Sequence, residues 1–509
     1  MNESLMFELS NILLAIEKSF TLLNLACLSF GALIGVIVGI IPGIGPMVGM
    51  VILLPFTFSI PTDLALSLLL GIFCGGYFGG AVPAVLIKAP GEPSSIWTAF
   101  DGYPLTQRGE AQVALSASLL GSLGGGVISV IVLIFLAPPL AYVAASFGSP
   151  EYFSASVLGI TILVMAYRKY LAVSLVLLGL GMWMNCVGVD PATMTARYDF
   201  GLLPLRNGLH IAPVCLGIYG IAQMFILSER PILMTDTIHL SRSTLDFSKL
   251  LVPLRHWGVL IRASLVGTFI GLLPGPGSVT ASFMAYESAK WGSKHPEKFG
   301  TGLPEGVMAA EAGDSAVPAG AMIPLLTLGI PGEAVSAVLL GILSIQGIYP
   351  GPLLLTKQPV LINEIYVSLF LIQVASFLML ALGLRWLAMI VKIPSTILAP
   401  TVVVIAFIGI YSINMRFFDV GVALVLAVLG YIMERLEWPA VSLIIGLVLG
   451  EIMEERLRES LSMSAGDPLI FVQRPISLLI LVAAALVIII PLYRDYRKRK
   501  NVVAAADPA

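Results

Sequence analysis

The chain has 509 residues, of which 58% are hydrophobic and only 11% are Asp, Glu, Lys or Arg. A soluble domain carries roughly 25% charged residues, so this chain cannot cover a water-facing surface. Its mean hydropathy of +0.97 agrees, and the composition indicates a polytopic membrane protein that sits in a lipid bilayer. The net charge of -2 provides no general basic surface, so no nucleic-acid partner is expected.

The four cysteines and four histidines are scattered along the chain. They form no Cys-x-x-Cys pair and no Cys/His cluster, so no disulfide framework, metal centre or cofactor is expected. The sequence contains neither a Walker A motif nor a Gly-x-Ser-x-Gly elbow, and these absences argue against an enzyme.

Long apolar runs follow one another along the whole chain, without the alternating polarity of a membrane β-barrel. Several runs are shorter than a full span or are interrupted by Gly and Pro. The pattern predicts an all-α polytopic membrane protein with about 11–14 transmembrane helices plus re-entrant or broken helices. The runs are residues 22–41, 45–60, 64–88, 113–145, 152–167, 170–189, 210–227, 257–274, 276–289, 307–345, 362–392, 397–413, 418–434, 438–452 and 475–493.

The distribution of Lys and Arg predicts the orientation, because loops rich in these residues stay in the cytoplasm. The polar linker 228–256 is predicted to be cytoplasmic and separates a first repeat, 1–227, from a second repeat, 257–493. The tail 494–509 is predicted to be cytoplasmic as well. Its basic residues are Arg494, Arg497, Lys498, Arg499 and Lys500.

The two halves share four motifs in the same order. The loops near 102–111 and 347–361 are predicted to face opposite sides of the membrane, so the repeats are predicted to have inverted topology. The matches are Gly35-x-x-x-Gly39-Ile-Ile-Pro42-Gly43-Ile-Gly45 with Gly267-x-x-x-Gly271-Leu-Leu-Pro274-Gly275-Pro-Gly277, Ala81-Val82-Pro83 with Ala316-Val317-Pro318, Pro90-Gly91-Glu92 with Pro331-Gly332-Glu333, and Gly102-Tyr103-Pro104 with Gly347-Ile348-Tyr349-Pro350.

Paired Gly/Pro breaks in inverted repeats are typical of secondary transporters. A broken helix exposes backbone groups that hydrocarbon cannot satisfy, so the breaks are expected to line a polar cavity where half-helix ends bind an anion. Gly31, Gly35 and Gly39 are spaced by four and are better explained by close helix packing. The substrate site is predicted to comprise Pro42, Gly43, Gly45, Lys88, Pro90, Gly91, Ser94, Ser95, Pro274, Gly275, Gly277, Ser278, Pro331 and Gly332.

Charged residues within apolar runs are costly and therefore indicate function. Lys88 is predicted either to bind a substrate carboxylate or to form an ion pair with Glu92 across one helical turn. Glu92 and Glu333 either belong to the site or lie at wet hairpin tips.

Asp314 is the strongest candidate for a coupling-ion site, because a carboxylate within a span supplies the oxygen ligands that hard cations prefer. Ser315 lies beside it, and Glu311 precedes it by one helical turn. These three residues are predicted to bind a coupling cation, either Na⁺ or H⁺.

These motifs resemble those of the large membrane subunit of the tripartite tricarboxylate transporters, the TctA type. The resemblance implies a multi-pass permease of the bacterial inner (cytoplasmic) membrane that acts as an ion-driven symporter. It also implies two partners, a small TctB-type membrane subunit and a periplasmic TctC-type solute-binding protein that delivers an organic carboxylate. The stretches that carry the resemblance are Gly39–Pro46, Pro90–Pro93, Thr98–Pro104, Gly271–Gly277 and Ile323–Gly332.

This chain departs from the family pattern at charged positions near the expected site. The family tends to have Asn-Asn at Asp314-Ser315, Asn at Lys88, and small hydroxyl residues at Glu92 and Glu333. These departures leave the substrate open among citrate, another organic acid and a less anionic compound.

Two other classes of function compete with a transporter. A channel or a membrane scaffold without alternating access would need only the pore or platform, but a channel requires a continuous polar path. Here the polar residues cluster at two matched breaks, which favours alternating access. An intramembrane enzyme would use Glu311 and Asp314 as an acid pair, but no further motif supports one.

Overall fold

The computed structural model describes residues 9–41, 45–57, 59–190, 192–229, 256–275, 277–387, 389 and 395–506. Within these ranges the protein is almost entirely helical, and the two strands form one short antiparallel pair. The all-α class predicted from the sequence is therefore confirmed.

The elements up to residue 229 are α1 (Leu9–Ser19), α2 (Leu22–Ile40), α3 (Gly45–Thr57), α4 (Thr62–Ile87), α5 (Ile96–Gln107), α6 (Ala111–Ala144), α7 (Ser149–Ala166), α8 (Leu171–Asn185), β1 (Gly188–Val189), β2 (Ala196–Arg197) and α9 (Ile211–Glu229). A π-helical segment, Leu216–Ile221, lies within α9. Short 3-10 turns lie at Pro93–Ser95, Arg168–Tyr170 and Leu203–Asn207.

The elements from residue 256 onward are α10 (Trp257–Leu272), α11 (Gly277–Trp291), α12 (Pro304–Leu328), α13 (Ala334–Ile345), α14 (Pro352–Lys357), α15 (Pro359–Leu387), α16 (Ser395–Asn414), α17 (Phe417–Arg435), α18 (Ala440–Met463), α19 (Ile470–Gln473) and α20 (Pro475–Ala506). A 3-10 turn, Pro296–Lys298, precedes α12. Most of the linker 228–256 lies outside the described residues.

Seven of the described helices are long and apolar enough to cross a membrane, namely α2, α4, α6, α7, α9, α15 and α17. Five shorter apolar helical segments lie within α3, α10, α13, α16 and α20. Helix α12 is almost completely buried despite its acidic residues, so its surroundings are protein. The structure is that of a polytopic membrane protein, as the sequence predicts; the orientation in the membrane remains a prediction.

The described chain forms two compact units. The first unit consists of Met1–Ala144 and Leu209–Glu437, and the second consists of Ala145–Gly208 and Trp438–Ala509. Each unit draws on both sequence halves, so the units differ from the predicted repeats 1–227 and 257–493. The predicted repeats state which segments of the two sequence halves are equivalent, whereas the units state which segments pack together. The boundaries of the repeats stay a prediction.

Glycines allow α2 to contact α4 backbone to backbone within the first unit. A methyl group added at Gly31 would lie 2.2 Å from the carbonyl oxygen of Leu68, and one at Gly39 would lie 2.1 Å from that of Gly76. Helices approach this closely only through residues without a side chain. The packing explanation predicted for Gly31, Gly35 and Gly39 is confirmed.

The same contact recurs between α10 and α12. A methyl group at Gly267 would lie 2.1 Å from the carbonyl oxygen of Gly313, and one at Gly271 would lie 2.8 Å from that of Val317. Gly271 is the sequence match of Gly39, so Val317 takes the place that Gly76 has in the first half.

Helices α4 and α12, which pack against α2 and α10, can be matched to each other residue by residue. Gly79 of α4 faces the carbonyl oxygen of Val36, and Gly320 of α12 faces that of Thr268. This register pairs Pro83 with Pro324, so the predicted match of Pro83 with Pro318 is wrong. The predicted match relied on a short Ala-Val-Pro identity. The glycine contacts show instead which residues of the two helices are spatially equivalent.

Candidate functional site

The helix breaks predicted from the sequence are present on both sides of the site. Helix α2 ends at Ile40 and α3 begins at Gly45, which has a left-handed φ of 66°. Pro42 and Gly43 lie outside the described residues. At the matching position, Gly277 begins α11 with a φ of 63°, so both helices restart at a glycine in the same conformation.

The turn after α10 contains Pro274 and Gly275. Gly275 has a φ of 113°, which a residue with a side chain rarely adopts. Its N–H donates a hydrogen bond of 3.0 Å to the carbonyl oxygen of Gly332. The helix break and the Pro331-Gly332 turn are therefore in direct contact.

The two Pro-Gly-Glu turns are each seated on the end of a neighbouring helix. A methyl group at Gly91 would lie 2.0 Å from the carbonyl oxygen of Gly39, and one at Gly332 would lie 2.2 Å from that of Gly271. Gly91 also donates its N–H to the carbonyl oxygen of Gly80 at 3.1 Å. Only glycine fits at Gly91 and Gly332. Because each turn is held against a helix end, the position of the glutamate that follows the glycine is fixed as well.

Four acidic residues converge next to these turns, and we call them the acid cluster: Glu92, Glu311, Asp314 and Glu333. Glu311 and Asp314 are completely buried, and Glu92 and Glu333 are 5% and 3% exposed. The spacing of three residues places Glu311 and Asp314 on one face of α12. The alternative that Glu92 and Glu333 lie at wet hairpin tips is wrong.

Hydroxyl groups from other helices hold two of the carboxyls. The Tyr77 hydroxyl donates to both oxygens of Glu333, at 2.8 and 2.9 Å. Thr98 and Ser122 each donate to one oxygen of Glu311. Both oxygens of these two carboxyls therefore have a donor.

The other two carboxyls are only partly satisfied. Ser94 donates to Asp314 Oδ2 at 3.0 Å, but among the described residues Asp314 Oδ1 and Glu92 Oε2 have no hydrogen-bond partner. The same holds for the buried hydroxyls of Ser95 and Ser315. A buried polar atom without a partner requires an explanation, such as an ordered water, an ion or a ligand.

Ser278, in the first turn of α11, lies beside both Glu92 and Glu333. The amino end of this helix carries a partial positive charge. It is therefore the site's own source of positive potential, and it faces one glutamate from each half.

The acid cluster has no basic counterpart in the part of the chain that the structure describes. Its four carboxyls make no ion pair there with Lys, Arg or His. The same residues contain no group of three His, Cys, Asp or Glu side chains arranged to hold a metal. Several ionised carboxylates close together in a dry interior without a counter-charge are strongly unfavourable.

Asp101 positions the α5 side of the site. Its Oδ1 accepts the N–H groups of Gly300, Gly302 and Leu303 at 2.7–2.9 Å, and its Oδ2 accepts the Tyr286 hydroxyl at 2.9 Å. Asp101 lies one turn beyond Thr98, which holds Glu311. The segment before α12 and helix α5 are thus locked together.

The family described as "Tripartite tricarboxylate transporter TctA family" matches residues 25–445. The chain belongs to the TctA family. This is a family of transporter permease components, as the sequence resemblance indicated.

Two proteins of Agrobacterium vitis are similar to this member of the TctA family. The "Uncharacterized 52.8 kDa protein in TAR-I ttuC' 3'region" is 37% identical over 433 residues, which cover 84% of each chain. The "Uncharacterized protein in TAR-II ttuC' 3'region" is 38% identical over 244 residues, which are 47% of this chain and 100% of that protein. No solved structure matches the chain.

Lys88 lies apart from the acid cluster. It caps α4 in a left-handed conformation, is exposed, and its Nζ lies 5.9 Å from the centre of the Tyr103 ring. The described residues contain no ion pair between Lys88 and the buried Glu92. A role in attracting a substrate carboxylate stays a prediction.

Tyr77, Thr98 and Ser122 are site residues that the sequence analysis missed. Tyr77 carries a signal that identifies it, since it is a polar side chain amid Gly75-Gly76 and Gly79-Gly80 in an otherwise apolar span. Thr98 and Ser122 carry no comparable signal, because hydroxyl residues are common in membrane helices. Only the three-dimensional structure brings them to Glu311.

Proposed function

We propose that this protein is the permease subunit of an ion-gradient-driven secondary transporter that imports an organic carboxylate. The observation that carries the proposal is the convergence of two helix breaks and two Pro-Gly-Glu turns, one of each from each sequence half, around buried carboxyls. Matched breaks of this kind serve alternating access in other secondary transporters.

The substrate would bind between the helix ends rather than on the carboxyls. The amino ends of α3 and α11 begin at Gly45 and Gly277, and backbone N–H groups at such ends bind anions. The hydroxyls of Ser278 and Ser95 supply further donors at the same place. An anion next to the acid cluster requires that the cluster bind positive charge at the same time, which couples substrate to cation.

Two partner proteins are part of the proposal. A periplasmic TctC-type protein would deliver the substrate, and a small TctB-type membrane subunit would complete the complex in the bacterial inner membrane. The C-terminal tail would lie in the cytoplasm, as its basic residues indicate.

Counterflow in proteoliposomes tests the proposal. The complex is reconstituted, the vesicles are loaded with unlabelled citrate, succinate or malate, and uptake of the same labelled acid is followed. With a carrier, at least one of these labelled acids enters the loaded vesicles faster than it enters vesicles without internal substrate. A protein that lets label pass without stimulation by internal substrate would be a channel and would contradict the proposal.

A substitution at the helix break tests the location of the site. Gly275→Val places a side chain in the turn at a φ that valine rarely adopts. Uptake of label should therefore fall to the level of vesicles without internal substrate. The control is Gly421→Val in α17, where an added methyl group meets no atom within 4 Å. Gly31 is unsuitable as a control because a side chain there collides with the backbone of α4.

A further inference from the structure

Two carboxyl oxygens of the acid cluster have no hydrogen-bond partner in the part of the chain that the structure describes. These are Asp314 Oδ1 in α12 and Glu92 Oε2 in the turn before α5. Both residues are at least nine-tenths buried. A buried carboxylate oxygen without a donor is costly, whereas a protonated carboxyl removes the charge and becomes a donor itself.

Ser95 is a further buried hydroxyl beside Glu92 that has no partner among the described residues. Its Oγ is completely buried and unpartnered, and it borders the same point above Gly80 as the Glu92 side chain. The equivalent hydroxyl in the second half, Ser336 Oγ, is fully used, since it accepts the N–H of Glu333 and donates to its carbonyl oxygen. Ser95 is thus free to accept a proton-bearing group.

The groups that face these two acids come from several helices, and none of them is basic. Tyr77 faces from α4, Glu311 from α12, and Glu333 from the turn before α13. The remaining neighbours are the hydroxyl residues Ser94 and Ser278. Apart from the partial positive charge at the amino end of α11, the described residues around the cluster therefore supply no positive charge.

A proton fits this arrangement better than a metal cation does. A hard cation needs several oxygen ligands that converge on one point, and no three of the described His, Cys, Asp and Glu side chains are arranged in this way. A proton requires a single oxygen and occupies almost no volume. The two orphaned oxygens each provide such a position.

We propose that Glu92 and Asp314 bind the coupling proton of this transporter, one carboxyl from each sequence half. This inference rests on the proposed function and specifies its coupling ion. A carboxylate takes up H⁺ when the site is open to the outside, forming a neutral carboxyl. It returns H⁺ to water when the site is open to the cytoplasm. When the cluster is neutralised by H⁺, a carboxylate substrate can approach it. When the cluster loses H⁺ and becomes negative again, release of the substrate is favoured.

Infrared difference spectroscopy across a pH step tests the inference without any substrate. The full-length protein in lipid nanodiscs should show a carboxylic C=O band that disappears as the pH rises. Glu92→Gln and Asp314→Asn should each remove part of that band, and the double variant should remove all of it. Both replacements have the shape of the protonated acid, so the protein is expected to fold.

Two controls make the spectrum specific. Glu110→Gln changes an exposed carboxyl outside the cluster and should leave the band unchanged. Ser94→Ala removes the hydroxyl that donates to Asp314 and should shift the frequency of the Asp314 component. A band that persists unchanged in the double variant would overturn the inference. The same spectral change produced by NaCl in place of the pH step would overturn it as well.

The result can be separated from a failure of the proposed function. Counterflow of labelled citrate, succinate and malate is measured on the wild-type protein in parallel. Loss of the band in the double variant supports proton binding by these residues whatever the counterflow result. Absence of exchange together with such a band would refute the carrier and leave proton binding established.

Discussion

The acidic residues of the two units have different partners. In the first unit the acid cluster is held by hydroxyl groups and by the backbone of Ser278, and two of its oxygens have no partner among the described residues. In the second unit Asp190 and Glu454 are bound by arginines in what we call the arginine network. Arg458 Nη1 lies 2.9 Å from both oxygens of Asp190, and Arg458 Nη2 lies 2.6 Å from Glu454 Oε1.

We interpret this difference as one between structural acids and the acids that we propose take part in transport. Arg197 also pairs with Glu454, so the arginine network neutralises its own charge. Removal of four ionised carboxylates from water is strongly unfavourable without a counter-charge, and the described residues form no ion pair with the acid cluster. We expect substitutions in the cluster to change transport, and substitutions in the network to change stability.

The largest effect is expected from a matched pair of neutralising substitutions. Asp314→Asn should abolish gradient-driven accumulation of substrate while counterflow persists, because the amide mimics a permanently protonated acid. Asp190→Asn should leave accumulation close to that of the wild type, since Asp190 pairs with Arg458 and is not part of the acid cluster. Uptake is normalised to the amount of protein in the membrane. Equal losses in the two variants would remove the distinction between the units.

A second substitution concerns an acid of the first unit that is fully satisfied. Asp101→Ala leaves three backbone N–H groups and the Tyr286 hydroxyl without their acceptor. Unsatisfied buried donors cost about 1–3 kcal/mol each when water cannot replace the partner, so we expect a loss of roughly 3 kcal/mol or more. Thermal unfolding in detergent measures it. An unchanged Tm would show that water replaces the carboxylate.

A smaller effect is expected at Tyr77. Tyr77→Phe removes the donor to Glu333 but keeps the ring, so the protein should lose about 1–3 kcal/mol and transport should slow without disappearing. Tyr198→Phe, at an exposed tyrosine of the second unit, is the control. If both variants behaved like wild type, the hydroxyl of Tyr77 would have no part in the site.

The smallest effect concerns acid stability of the second unit. The hydrogen bonds from Arg458 lower the pKa of Asp190 to about 2. Because the folded-state value lies below the ordinary value of about 3.9, the stabilisation is complete above pH ~4 and is lost as the pH falls towards about 2. Asp190→Asn should remove this part of the acid dependence in a titration followed by Trp fluorescence. An identical titration would contradict the assignment.

Much of the site could be predicted from the sequence, because glycine and proline act locally. The matched Pro-Gly-x-Gly breaks and Pro-Gly-Glu turns require backbone conformations that the sequence specifies, and the described parts of both breaks are where they were expected. Charges inside apolar runs identified Glu311 and Asp314, since acids are costly there. These inferences need no knowledge of distant neighbours.

The rest depends on contacts between segments that lie far apart in the chain. The partners of the acids, Tyr77, Thr98 and Ser122, come from three different helices and carry no local motif of their own. The burial of Glu92 and Glu333 was open because a Pro-Gly turn fits a wet loop as well as a buried one. The register of Pro83 with Pro324 emerged only from the packing of glycines against backbone.

Proton coupling through the acid cluster is tested by the internal pH of proteoliposomes during substrate uptake. Vesicles containing the complex and a trapped pH indicator are given citrate, succinate or malate outside, without Na⁺ and with an inward proton gradient. Such coupling predicts substrate accumulation accompanied by acidification of the lumen, with both lost in Asp314→Asn. Accumulation that requires Na⁺, moves no protons and survives in Asp314→Asn would contradict it.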